Sequence, residues 1–318
     1  MTAMKRQLLA GVIVMTFLAC AFALQTAPAP NAQDKSPKPA ASLSEVVVLG
    51  SGNPNADPDR SGPAVAVIVN GHAYLVDCGA GVVRRAAAAS QEGVPGLAIK
   101  DLRTLFITHL HSDHTLGYPD VILTPWIYGR TEHLAVYGPP GLRDMTNNIL
   151  AAWKEDIEVR TKGLEQENRT GYLVDVHEVQ PGVVFKDENV RVTAFPVQHG
   201  SWEQAFGYRF QTPDRTIVIS GDTRPADSVV EACNGCDVLL HEVYTSDQQS
   251  PLSAQGQKYF AAFHTSTAEL GAVATRAKPK LLVLYHQVFH GVSESEMLQQ
   301  VREHYSGAVV SAHDLDVY

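Results

Sequence analysis

His109-Leu110-His111-Ser112-Asp113-His114 packs four metal-ligand side chains into six residues. It follows an apolar run over residues 102–108 that reads as a β-strand. In extended chain, side chains two positions apart point the same way, so His109 and His111 present their imidazoles to one point. The chain then turns, and Asp113 and His114 face a second point. Imidazole and carboxylate suit zinc, with manganese or iron as alternatives. The competing reading is a polar loop with chance histidines, and the density of ligand types argues against it.

Working outward, further ligand-type residues stand at the ends of later apolar runs. They are His199 in Gln198-His199-Gly200, Asp222 in Gly221-Asp222-Thr223, His241, and His286. In α/β architectures the strand ends share a rim, and sites form there. His72, His133, His177, His290, His304 and His313 lack that context and read as structural.

Between these points the pattern alternates strand and helix. Residues 64–69 and 73–76 form a hairpin through Asn70-Gly71. Residues 46–49, 134–137, 183–185, 190–195, 206–210, 216–220, 238–240 and 281–285 read as strands. Residues 82–91, 267–276 and 293–305 read as helices, and Pro140-Gly141 opens another to about 154. The polar stretch 155–171 reads as a loop. Strands and helices interleaved in two halves imply an α/β fold, with two sheets face to face and helices outside.

The chain has 318 residues and a formal charge of −9, which argues against non-specific nucleic-acid binding, since that needs a basic face. Lys5 and Arg6 precede an uncharged apolar run over 8–24 that closes on Ala21-Phe22-Ala23. This reads as a secretory signal over 1–23, then a flexible linker over 24–42 and a catalytic domain over 43–318. The protein is then periplasmic or secreted. A lipoprotein anchor at Cys20 and an uncleaved anchor are weaker alternatives, and no membrane span is expected after processing. Cys233-Asn234-Gly235-Cys236 suits a local disulfide and two free thiols equally. A homo-oligomer is left open.

The order HxHxDH, single His, GD(T/S) and final His after a strand resembles the metallo-β-lactamase superfamily, over roughly 45–318. The resemblance implies an αββα sandwich holding two Zn2+. One ion takes His109, His111 and His199, the other Asp113, His114 and His286, and Asp222 bridges them. Asp77-Cys78-Gly79-Ala80-Gly81 resembles a strand-end loop of ribonuclease Z. Leu240-His241-Glu242 resembles its HEAT loop, with Val243-Tyr244 in place of Ala-Thr. His264-Thr265-Ser266-Thr267-Ala268 resembles its HST loop with one insertion. These likenesses imply that Asp113, Glu242 and His264 handle protons. Without them, His264 reads as a helix-entry residue ahead of good N-cap types.

Residues 50–54 and 57–63 are similar to an exported arylsulfatase-like group of the same superfamily. Ribonuclease Z carries a long tRNA-gripping arm between its single His and its bridging Asp, whereas His199 and Asp222 here are 23 residues apart. The expectation is therefore an exported hydrolase cutting small sulfate or phosphate (di)esters by a metal-bridging hydroxide. Its partner is a small-molecule ester and not a nucleic acid. A β-lactamase or lactonase is the alternative, tRNA 3′ processing ranks below both, and a metal-binding module without turnover is the reading from a different class. Trp126, Tyr128, Trp202 and Phe206 are candidates to line the pocket.

Overall fold

Val46-Val47-Val48-Leu49 has no polar face, and the reason is that both of its faces are covered. Val46 and Val48 point into one apolar cluster, Val47 and Leu49 into another. The same alternation divides Val65, Val67 and Val69 from Ala64, Ala66 and Ile68. A strand buried on both sides reads as a continuous apolar run rather than an alternating one.

The computed structural model describes residues 43–245 and 252–318. The expected signal and linker lie outside the described residues. In chain order the first half runs β1 (Ser44–Gly50), β2 (Ala64–Val69), β3 (His72–Val76), α1 (Val82–Gln91), β4 (Thr104–Phe106), α2 (Ser112–Thr115), α3 (Tyr118–Ile127), β5 (Leu134–Gly138), α4 (Leu142–Ala152), α5 (Lys154–Lys162) and β6 (Val174–Glu178). The second half runs β7 (Gly182–Lys186), β8 (Arg191–Pro196), β9 (Phe206–Gln211), β10 (Thr216–Ile219), α6 (Asp227–Cys233), β11 (Val238–Tyr244), α7 (Ala254–Phe263), α8 (Thr267–Ala277), β12 (Leu281–Val288), α9 (Glu294–Arg302) and β13 (Val309–Ser311).

Strands β1 to β6 form one sheet in sequence order, and β7 to β13 form the other. Three apolar layers result. One lies between the first sheet and α1, α3 and α4, with Ala86, Tyr118, Val121 and Leu142 in it. One lies between the sheets, around Phe106, Tyr208, Phe210 and Tyr285. The third lies between the second sheet and α6, α8 and α9, with Val229, Leu270, Val273 and Met297 in it. This is the expected αββα sandwich.

Local signals behave as their chemistry demands. Asn70 and Gly71 turn the first hairpin with φ of 50° and 75°. Helices α8 and α9 start on capping boxes, Ser266 with Glu269 and Ser293 with Glu296. Helices α2, α3, α5, α6 and α7 were not expected. α5 takes up residues 155–162 of the expected polar loop over 155–171. Its only buried residue is Ile157, so it shows no apolar stripe; Arg160 meets Asp156 at 3.0 Å and Lys162 meets Glu158 at 3.7 Å, both i,i+4 pairs. α7 has no buried residue at all. Cys233 and Cys236 are joined in a disulfide, which settles the open alternative, and Cys78 is buried and free. No helix among the described residues is long and apolar enough to cross a membrane.

Strands β10, β11 and β12 run parallel, and so do β3, β4 and β5. Their C-terminal ends deliver the site: His109 after β4, Asp222 after β10, Glu242 on β11 and His286 on β12.

Candidate metal centre

His109, His111, His199 and Asp222 bring one ligand atom each to a common point; so do Asp113, His114 and His286. These are the two expected sets, and Asp222 reaches the second as well. His109 Nε2 lies 2.9 Å from His111 Nδ1, and His199 Nε2 lies 3.0 Å from the same atom. His114 Nε2 lies 3.5 Å from Asp113 Oδ2 and 3.4 Å from Asp222 Oδ1. His286 Nε2 lies 3.2 Å from Asp113 Oδ2 and 3.3 Å from Asp222 Oδ2. Ligands about 2.0–2.1 Å from a tetrahedral ion stand about 3.3 Å from one another. The spacing fits, and so does the hydrogen-bond balance: His114 Nε2 and Asp222 Oδ1 are buried with no hydrogen-bond partner among the described residues. Orphaned buried polar atoms are costly unless something pairs with them, and a cation held by these ligands would do so.

The electrostatics sort the imidazoles. Burial pushes His109 well below its usual value, with His114 adding to the effect against Asp222. Burial takes His199 down to about 4 and lowers His111, in both cases against the pull of Asp222. Those three are held neutral, with a lone pair free for a metal. His114 is different. Burial pulls it down, but the charges of Asp222 and Asp77 outweigh that and hold it well above the usual range. An ion bound there takes the place of its proton.

A surrounding shell holds the ligands. Asp77 Oδ2 lies 2.8 Å from His114 Nδ1 and accepts from Thr108 Oγ1 at 2.9 Å, and Thr108 Oγ1 lies 3.0 Å from His109 Nδ1. His199 Nδ1 lies 2.7 Å from the Phe263 carbonyl. Metal-bound imidazoles are oriented in this way by partners on their second nitrogen. Gly221, with φ of 62°, lets the chain turn into Asp222 where a Cβ would sit 2.9 Å from the Phe206 carbonyl.

Beside the second set stands His264, with Nδ1 3.4 Å from Glu242 Oε2 and 3.9 Å from Asp222 Oδ2. Burial lowers His264, but Glu242 and Asp222 overcome it and raise it to about 9. Glu242 is fully buried and its Oε1 accepts from the Thr265 amide at 2.8 Å and the Thr223 amide at 3.4 Å. One carboxylate thus fastens the loops that carry His264 and Asp222.

Other expectations divide. His241 is buried inside β11, turns its Nδ1 to the Glu242 carbonyl at 2.7 Å and joins neither ligand set. Of the four aromatic candidates, only Trp202 reaches the site, its indole N–H 2.8 Å from His111 Nε2. Trp126 and Phe206 are core, because strand and helix packing claims them, and Tyr128 lines a cavity between α1 and α3. Asp77 and Thr108 were missed as ligand supports. The signal for Asp77 was present, in a loop already singled out.

A family profile described as a beta-lactamase superfamily domain matches residues 72–287. The Ribonuclease Z of Mycobacterium bovis (strain BCG / Pasteur 1173P2) is 34% identical over 247 residues, covering 77% of this chain and 86% of that protein. The Ribonuclease Z of Mycobacterium sp. (strain KMS) is 35% identical over 244 residues, covering 76% and 83%. Among solved structures, the short form of human tRNase Z superposes with a TM-score of 0.64 at 25% identity, over 86% of this chain and 98% of that one. A metallo-beta-lactamase fold protein of Bacillus subtilis, YhfI, superposes at 0.66 with 18% identity, over 86% and 98%.

These relatives overturn two expectations. The expected small sulfate or phosphate ester, with β-lactam or lactone as alternative, does not stand beside relatives named ribonuclease Z and tRNase Z, and the exclusion of nucleic acid goes with it. An arm between His199 and Asp222 is one attachment point for RNA among several a protein surface can offer. β9 and β10 do fill the segment between His199 and Asp222, but that spacing says nothing of RNA held elsewhere. The charge of −9 likewise averages over the whole surface and not over the face that meets a substrate. The chain belongs to the beta-lactamase superfamily, with ribonuclease Z proteins among its homologues, and is a metal-dependent hydrolase acting on ester bonds.

Proposed function

We propose that this protein cuts phosphodiester bonds in RNA with the chemistry of a ribonuclease Z, cleaving on the 3′ side of a tRNA precursor when given one, with two zinc ions in the centre. The observation that carries the reading is the complete ligand set beside a Glu242–His264 pair, in a chain 34% identical to a Ribonuclease Z over 77% of its length. His109, His111 and His199 would hold one ion, Asp113, His114 and His286 the other, with Asp222 between them. Bound there, the ions supply Lewis acidity toward water and toward the phosphodiester.

The rest falls to side chains. Asp113 and Asp222 accept hydrogen bonds and orient the attacking water. His264, held cationic by Glu242, donates a proton to the leaving oxygen, as a general acid must. Glu242 keeps that donor aimed through the Thr265 amide. A structural metal site has no use for such a donor, since its ion is fully enclosed by protein ligands.

The test is cleavage of a pre-tRNA by the purified protein, with and without chelator and with His111→Ala. Chelator-sensitive cutting at the 3′ side is expected. Faster turnover of aryl sulfate than of RNA, or full activity in His111→Ala, would overturn the proposal.

A further inference from the structure

Helix α7 ends on His264 and contributes no buried side chain to the core. Of its aromatic residues, Phe260 packs on Tyr244 and His290, whereas Tyr259 and Phe263 face the metal centre. Phe263 stands edge-on to His199, ring centroids 5.0 Å apart at 86°. It lies over Gly200, where a Cβ would come 2.0 Å from its Cζ. The backbone joins in, with Gly200 N donating to the Ala262 carbonyl at 3.0 Å. This end of α7 is thus fastened to the loop that carries a metal ligand.

Tyr259 stacks on Phe263 at 4.6 Å and 20°, yet 42% of the residue remains exposed. Its ring centroid is 5.9 Å from that of His264. Burial raises the Tyr259 hydroxyl, and the charges of Asp222, Asp113 and Glu242 raise it further, so the phenol lies within the field of the centre's carboxylates. A large, half-open aromatic face at the edge of a catalytic site, backed by a second ring, is not explained by core packing.

Resting on the RNA reading above, we propose that Tyr259, backed by Phe263, is a stacking platform for the nucleobase next to the scissile phosphate. Single-stranded RNA is gripped by splaying bases onto aromatic side chains. Every base has a π-face, so such a platform holds the strand without dictating its sequence. It would fix the position of the phosphate relative to His264, which the same helix delivers.

The experiment uses the full metal-loaded chain and an RNA precursor carrying, in turn, an abasic ribose on either side of the cleavage point. Wild type, Tyr259→Phe and Tyr259→Leu are compared; Leu is a good helix former, so α7 is retained. In the wild type, loss of the stacked base raises KM by about 5- to 150-fold. Tyr259→Phe keeps that dependence, and in Tyr259→Leu removing the base costs nothing further. An equal base dependence in wild type and Tyr259→Leu overturns the platform alone. Tyr259→Phe behaving like Tyr259→Leu also overturns it, since the hydroxyl and not the ring would then be at work. Failure of the wild type to cut natural RNA at all overturns both the platform and the RNA reading.

Discussion

Asp77 Oδ2 lies 2.8 Å from Nδ1 of His114, in a buried pair separated by 37 residues of chain. The opposite nitrogen of that ring faces Asp113 and Asp222, so Asp77 sets both the tautomer and the aim of a ligand. Asp77→Asn keeps the shape and an oxygen for the Thr108 amide but removes the charge. Partners of this kind are worth roughly 10- to 100-fold in metal affinity. We expect that loss for one of the two ions, measured by competition with a chromogenic chelator. Unchanged affinity for both would contradict the role.

His264 is the second case. If it protonates the leaving oxygen, its removal hurts most where that oxygen needs a proton. His264→Ala should lower kcat on pre-tRNA by roughly 100- to 10,000-fold. On a nitrophenyl phosphodiester, whose leaving group departs unprotonated, the fall should be far smaller. Glu242→Gln keeps acceptors for the Thr265 and Thr223 amides but withdraws the charge from His264. It should show the same split at smaller scale. Equal losses on both substrates would remove the general-acid role from His264.

What the sequence revealed follows physical lines. The ligand run, the strand ends and the two-sheet sandwich were legible because periodicity and adjacency are local. Val46 to Leu49 announces a strand buried on both faces, and Gly221-Asp222-Thr223 announces a turn with a carboxylate. Asp77 was less legible, since its partner is set by the pairing of β3 with β4 rather than by spacing. α5 was hidden because one buried residue, Ile157, leaves no stripe to detect. Trp126 and Phe206 misled because closeness in sequence to a ligand says nothing about which face a side chain takes. The substrate was misjudged for a similar reason, with the length of one hairpin standing in for a whole binding face.

Cys233 and Cys236 supply the third prediction. A disulfide persists in oxidising compartments and is rare in the cytosol. Together with Lys5, Arg6 and the apolar run that follows, it leads us to propose export. Protein recovered from the periplasm should begin at residue 24 and be lighter by two hydrogens than its reduced form. A mature chain that retains Lys5, or two reactive thiols at 233 and 236, would contradict export.

Arg130 carries the last prediction. Its guanidinium is buried and bonds only to backbone carbonyls: Leu102 at 2.8 Å, Val121 at 3.0 Å, Ile122 at 2.7 Å, and Gly171 at 2.9 and 3.1 Å. Burial pulls it down to about 10 against the pull of Glu132, so the charge is costly to keep and its hydrogen bonds all go to carbonyl dipoles. Those carbonyls belong to the segment before β4, to α3 and to the loop before β6, three pieces that must register before β4 can deliver His109. Arg130→Met leaves the acceptors unpaired, each worth about 1–3 kcal/mol when buried. Partial relaxation makes a total of about 3 kcal/mol or more the reasonable expectation. Arg130→Lys offers three donors from a point charge where five in a planar fork are used, so it should also destabilise. Urea unfolding measures the loss. The zinc content of the folded fraction should stay at wild-type level, because Arg130 touches no ligand. A midpoint indistinguishable from wild type in Arg130→Met would show that water replaces the fork at little cost.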